Sequence, residues 1–160
     1  MQARLDAQKV SPAAYQALLG LEMFVRKQSK LELALIELVK MRASQINGCA
    51  YCIDMHSLDA RAEGETEQRL YALSAWEETP FFTDRERAAL ALTEAITLVG
   101  EGHVPDAVYE EARKSFSDEE LVNLTMAIIT INGWNRLAIT FRFVPGQYTP
   151  GKHKTEAVKA

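Results

Sequence analysis

The chain has 160 residues, 48% hydrophobic and 25% charged, which is the balance of a globular protein able to bury a core as one domain, residues 1–160. A net charge of −4 and a pI near 5.4 exclude a basic nucleic-acid footprint and a polybasic membrane surface. No run approaches the roughly 18 apolar residues that span a bilayer. The start, MQARLDAQKV, has no apolar signal core, so the expected location is cytoplasmic. Thiols stay reduced there, and two cysteines point to catalysis or metal binding before a structural staple.

The elements read as helices throughout. Ser11 followed by Pro12 predicts an N-cap and first helical residue, opening a helix to about Lys27 with Tyr15, Leu18, Leu19 and Met23 at helical spacing. A second helix runs from about Leu31 to Ile46, and Asn47–Gly48 stops it. A third starts near Cys49 and ends at Gly64, and Thr66 caps a fourth to about Glu77, ahead of Pro80. Thr83 and Glu86 form a capping box for a helix to Val99, and Gly100 and Gly102 mark a loop. Pro105 begins a short helix to about Phe116, with Val104 as its staple. Ser117 and Glu120 form a second capping box for a long apolar helix to about Phe143. The polar tail 145–160, punctuated by Pro145, Gly146, Pro150 and Gly151, is expected to be mobile. The β-branched run Ile128–Ile131 sits inside a longer helical pattern without turn signals. The fold class is therefore all-α, about seven helices with the Cys-x-x-Cys pair at the start of one.

Glu37-Leu38-Val39 and Ile46-Asn47-Gly48 recur as Glu120-Leu121-Val122 and Ile131-Asn132-Gly133, with a gap between the two offsets. Chance recurrence is the plainer reading. A duplicated helical unit, with Trp134 near the place of Cys49, is the sharper one.

The stretch from Glu37 to His56 carries the chemistry. Cys49 and Cys52 lie one helical turn apart, so both thiols share a face at a Cα separation of about 5 Å, within disulfide range. His56, four residues beyond Cys52, lies on that face. Only a thiolate is a good nucleophile, and a helix start after Gly48 offers free N–H groups and the positive dipole end to the sulfurs. Helix-end reasoning alone makes Cys49 the more acidic thiol. His56 can take a proton or, once charged, stabilise the anion.

The spacing Glu37-x11-Cys49-x2-Cys52-x3-His56 resembles the active-site signature of the alkyl hydroperoxidase D family, within the carboxymuconolactone decarboxylase superfamily. The likeness covers about residues 31–62. The segment Ile131-Asn-Gly-Trp-Asn-Arg136 resembles the peroxidase-related branch. The resemblance implies a helical bundle assembled as trimers or hexamers, and a peroxidase acting on hydrogen peroxide or alkyl hydroperoxides without metal or other cofactor. By the same resemblance, Cys52 attacks the peroxide, Cys49 resolves the sulfenic acid into a disulfide, and Glu37 and His56 relay protons. An external dithiol, from a lipoyl or thioredoxin-like protein, then reduces the disulfide. Tyr51 stands where the best-known members carry a histidine. Two other readings are an acid/base enzyme of the decarboxylase type, using His56 and Glu37 on a small carboxylate or lactone, and a redox sensor without turnover.

Other polar residues have simpler expectations. Zinc on Cys49, Cys52, His56 and Glu37 is a minor alternative, since the chain lacks a second Cys-x-x-Cys. Glu37, in the apolar stretch from Leu33 to Val39, needs a partner such as Lys40, Arg42 or a group on another helix. Ser44 is expected to be a core or hydrogen-bonding residue, His103 a loop or interface residue and His153 exposed in the tail. Trp134 and Asn135 are assigned to the core, pocket lining or interface, and the Glu110–Lys114 stretch reads as a solvated helix face.

Overall fold

A computed structural model of the chain describes residues 1–151. Among the described residues there are nine α-helices, one 3-10 helix and no strand. The helices are α1 Ala7–Val10, α2 Pro12–Lys27, α3 Leu33–Asn47, α4 Ala50–Ala62, α5 Glu67–Ala72, α6 Asp84–Thr97, α7 Val99–Gly102, α8 Asp106–Ser115 and α9 Asp118–Phe141. The all-α class holds, and the count exceeds the expected seven because α1 and α7 are single turns, too short to show a period. The helix expected from Thr66 to Glu77 also divides. α5 ends at Ala72, and a 3-10 helix, Leu73–Glu78, bends at Ala75 (φ −124°, ψ 34°). That bend carries the indole N–H of Trp76 to Glu94 Oε1 at 2.7 Å.

Local chemistry sets the ends. Thr83 and Ser117 each accept from the backbone N–H three residues on, and Glu86 and Glu120 accept in return, so both capping boxes form. Pro12 occupies the first turn of α2 as expected, although Ser11 makes no side-chain cap bond. Val104 packs against the core ahead of α8.

α3 is the central helix. It packs on α4, α6 and α9, and the unbroken run from Leu35 to Met41 is buried on every side. A helix buried all round must satisfy its polar groups inside the protein. Glu37 and Lys40 are both fully buried. The main core joins Val25 of α2, Ile36 and Val39 of α3, Ala89 and Leu92 of α6, Phe116, and Leu124, Ala127 and Ile128 of α9. α2 comes close to α9 at Gly133, where a Cβ would meet Leu18 Cδ1 at 3.2 Å.

After α9 the chain returns to α4. The Gly146 N–H donates to Asp54 Oδ2 at 2.8 Å, and the Tyr148 hydroxyl donates to Asp59 Oδ1 at 2.7 Å. Those bonds hold the first part of the Pro/Gly-rich segment against α4. His153 and the remainder of the tail lie outside the described residues.

Candidate active site

Gly48 ends α3 in the left-handed conformation (φ 66°, ψ 31°), which glycine adopts without a Cβ penalty. The next residue, Cys49, is therefore the N-cap of α4 and Cys52 lies in its first turn. The cysteines are 1% and 2% exposed, so both thiols are inside the protein. Their sulfurs are unbonded and 2.7 Å apart, within 1 Å of the roughly 2.05 Å disulfide length.

The two thiols differ sharply in acidity. The Cys52 S–H, donating to Cys49, lowers the Cys49 thiol to about 7 against the opposing effect of burial. The backbone N–H groups of Cys52 and Tyr51 and the side chain of Asn135 lower it further, as the start of a helix allows. Cys52 is pushed well up, first by its bond to Cys49, then by burial and by the Cys49 charge. The first negative charge of the pair thus resides on Cys49, and Cys52 keeps its proton.

Further along α4, His56 Nδ1 lies 2.7 Å from Glu37 Oε2, joining α4 to α3. Arg26, near the end of α2, donates from its guanidinium to Glu37 Oε1 at 2.6 Å. Burial raises the Glu37 carboxyl, but the His56 hydrogen bond and charge, with Lys40 and Arg26, outweigh it and hold the group at about 2. At neutral pH Glu37 is a carboxylate and can only accept, so the proton of a neutral His56 sits on Nδ1. Its Nε2 then presents a lone pair, buried and without a hydrogen-bond partner among the described residues. The carboxylate thus fixes the orientation of the ring.

The expected partners of Glu37 sort differently. Lys40, though near enough to act on the Glu37 charge, pairs with Glu22, and Arg42 donates to Glu94 Oε1 at 2.7 Å. The guanidinium comes instead from another helix, and nothing in the spacing singled out Arg26. Ser44 is a hydrogen-bonding core residue, donating to the Lys40 carbonyl at 2.7 Å. His103 caps a one-turn helix with positive φ, in the loop expected for it. Tyr51 stacks edge-on against Phe143 (5.4 Å), and Trp134 against Tyr15 (5.1 Å). Tyr51, Phe143 and Trp134 are half-buried and pack around the sulfurs.

Donor atoms of Glu37, His56 and Asp59 lie within 4.8 Å of one another. Glu37 and His56 are spent on each other, and Arg26 brings a fixed positive charge to the same carboxylate. The set is ion-paired within itself, and its donors do not fit a divalent cation.

A helical hairpin that carries a paired dithiol on one arm and a carboxylate–histidine couple across the two defines a class of thiol-bearing all-α proteins. The chain belongs to the carboxymuconolactone decarboxylase family, which residues 12–95 match. It is an AhpD-like member of that superfamily. It is 44% identical over 139 residues to the uncharacterised protein YdfG of Bacillus subtilis (strain 168), covering 87% of this chain and 94% of that protein. A crystal structure from Agrobacterium tumefaciens, of a protein of unknown function described as a candidate antioxidant defence protein AhpD, matches with TM-score 0.88 and 44% identity, over 92% of this chain and all of that one. An uncharacterised peroxidase-related protein with an AhpD core, from Ralstonia eutropha JMP134, shares the fold at TM-score 0.77 and 20% identity, over 88% and 74% of the two chains. Family and fold support peroxidase-related or decarboxylase-like chemistry. No helix among the described residues is long and apolar enough to cross a membrane.

Proposed function

We propose that the protein is a dithiol peroxidase that reduces hydrogen peroxide or alkyl hydroperoxides. The observation that carries this reading is the sulfur pair, 2.7 Å apart, on the same helix as a histidine locked by Glu37 with its Nε2 open. In the resting dithiol Cys49 holds the charge. Attack by Cys52 begins when its proton moves to His56 Nε2, which becomes an imidazolium. The Cys52 thiolate attacks one peroxide oxygen, an S–O bond forms and the O–O bond breaks. The leaving alkoxide or hydroxide takes a proton from the imidazolium that Glu37 stabilises. The Cys49 thiolate then attacks the sulfenic sulfur, the S–S bond forms as the S–O bond breaks, and the hydroxide expelled leaves as water with a proton from solvent. An external dithiol of the lipoyl or thioredoxin-like kind supplies two electrons and two protons to restore both thiols.

Cys52→Ser should abolish peroxide consumption. Cys49→Ser should consume one equivalent and leave a sulfenic acid that dimedone traps at Cys52. Full turnover by the Cys52→Ser protein with a dithiol reductant would overturn the assignment, and a sulfenic acid trapped on Cys49 instead would exchange the roles of the two sulfurs. Repeated consumption per dithiol distinguishes an enzyme from a redox sensor.

The His56–Glu37 couple is complete without the sulfurs, which favours a second reading as a decarboxylase-like acid/base enzyme. Conversion of a small carboxylate or lactone by a protein lacking both cysteines would select it. The working form we propose is a cytoplasmic homo-oligomer, trimer or hexamer, which sedimentation velocity measures directly.

A further inference from the structure

Three helices of this fold, α3, α6 and α9, meet in one chain of side-chain hydrogen bonds, and the direction of every bond in it can be derived. At one end is the Lys40 carbonyl, which can only accept, so the Ser44 hydroxyl donates to it at 2.7 Å. The Ser44 oxygen is then left to accept, and it does so from Asn135 Nδ2 at 3.0 Å. At the other end is the Ile128 carbonyl, again only an acceptor, which takes a proton from Asn132 Nδ2 at 3.0 Å. Asn132 Nδ2 also reaches Thr97 Oγ1 at 3.1 Å, so its oxygen faces the opposite way. That oxygen receives Arg136 at 2.8 Å and Asn47 Nδ2 at 3.0 Å. With its NH₂ so directed, Asn47 gives its other proton to Asn135 Oδ1 at 2.8 Å.

The two ends are independent, and both leave Asn135 the same way round. Its oxygen is held by Asn47, one N–H is held by Ser44, and one N–H remains. Asn135 is fully buried in the middle of α9, on the face where Ile131 and Ala138 pack against Cys49 and Cys52, and its amide favours the thiolate at either sulfur. We propose that Asn135 is a catalytic residue of the dithiol, a donor of fixed direction that stabilises negative charge on either sulfur, with Asn47 as the residue that positions it. One donor facing both sulfurs suits a cycle in which charge passes from Cys49 to Cys52 and back.

The inference deepens the peroxidase reading, but its test needs no peroxide. Thiolate absorbance at 240 nm, followed from pH 5 to pH 10 on the reduced full chain, reports the first ionisation of the pair. Asn135→Asp keeps the shape and turns an N–H into an acceptor. The midpoint should rise by about one pH unit, which leaves about tenfold less thiolate near neutrality. Asn47→Ala leaves Asn135 in place but frees its amide to turn, and should move the midpoint the same way by a smaller amount. A purely structural asparagine would lower stability in urea and leave the midpoint where it was. An unchanged midpoint in folded Asn135→Asp protein overturns the inference. Should that variant not fold, an unchanged midpoint in Asn47→Ala does so. A shifted midpoint in a protein whose wild type turns over no peroxide would sink the peroxidase reading and leave this one standing.

Discussion

Glutamine at position 37 is the sharpest perturbation the structure offers. Gln has the shape of a protonated glutamate, so Glu37→Gln removes the carboxylate's charge while leaving an amide oxygen for His56. In the folded protein the Glu37 carboxyl falls from its ordinary 4.5 to about 2, although burial opposes the fall. At about 1.4 kcal/mol for each tenfold change in proton affinity, ionised Glu37 stabilises the fold by about 3 kcal/mol at pH 7. The group loses its proton more readily folded than unfolded. Its contribution is therefore complete above the unfolded value near 4.5 and disappears as pH falls toward about 2. Urea titrations followed by the fluorescence of Trp76 and Trp134 should show Glu37→Gln less stable by about 3 kcal/mol at pH 7, a loss of about 6–12 °C in Tm for a chain of this size. At pH 3 the difference should shrink to about 1 kcal/mol. An equal difference at both pH values, or none at pH 7, would refute the argument that Arg26, Lys40 and His56 stabilise a buried charge. Peroxide turnover should fall in the same variant, because His56 no longer faces an anion.

Three further outcomes test other parts of the molecule. In wild-type protein, thiolate absorbance should rise with a midpoint of about 7, and in Cys52→Ala that midpoint should climb toward the ordinary 9.0, because the Cys52 S–H is the largest cause of the lowering. Gly48→Val forces a branched side chain into the left-handed region and should cost about 1–2 kcal/mol in urea unfolding. Ser117→Ala removes one side of the α9 capping box and should cost about 1 kcal/mol, read the same way.

The elements legible in the sequence are those with a local cause. Both capping boxes, the Gly48 stop and the Cys49–Cys52–His56 register depend on residues within a turn or two of one another, and all appear in the structure. Glu37 and His56 were joined in the sequence only by the likeness to the family signature, and the structure brings them within 2.7 Å across α3 and α4. Arg26 was not legible, because its contact with Glu37 depends on how α2 crosses α3, and no periodicity encodes a crossing. Lys40 and Arg42 were plausible partners by spacing, yet Glu22 and Glu94 claim them from neighbouring helices. The recurrence of Ile-Asn-Gly gains one physical meaning: its two asparagines, Asn47 and Asn132, hydrogen-bond to each other at 3.0 Å. The glycines after them differ, since Gly48 ends a helix and Gly133 lies inside one. Short helices such as α1 and α7 left no pattern to read.

The helical hairpin has a consequence for how the protein is made. Glu37 and His56 are 19 residues apart and Arg26 lies 11 residues before Glu37, so this part of the site closes over short loops at small entropic cost. Asn135 is 88 residues from Asn47 and meets it only when α9 docks. In a chain synthesised from its N-terminus, the dithiol, Glu37 and His56 are therefore complete in sequence long before the amide that completes their surroundings. The first turn of α4 pairs the sulfurs, and α9 brings the Asn135 amide to their surroundings last.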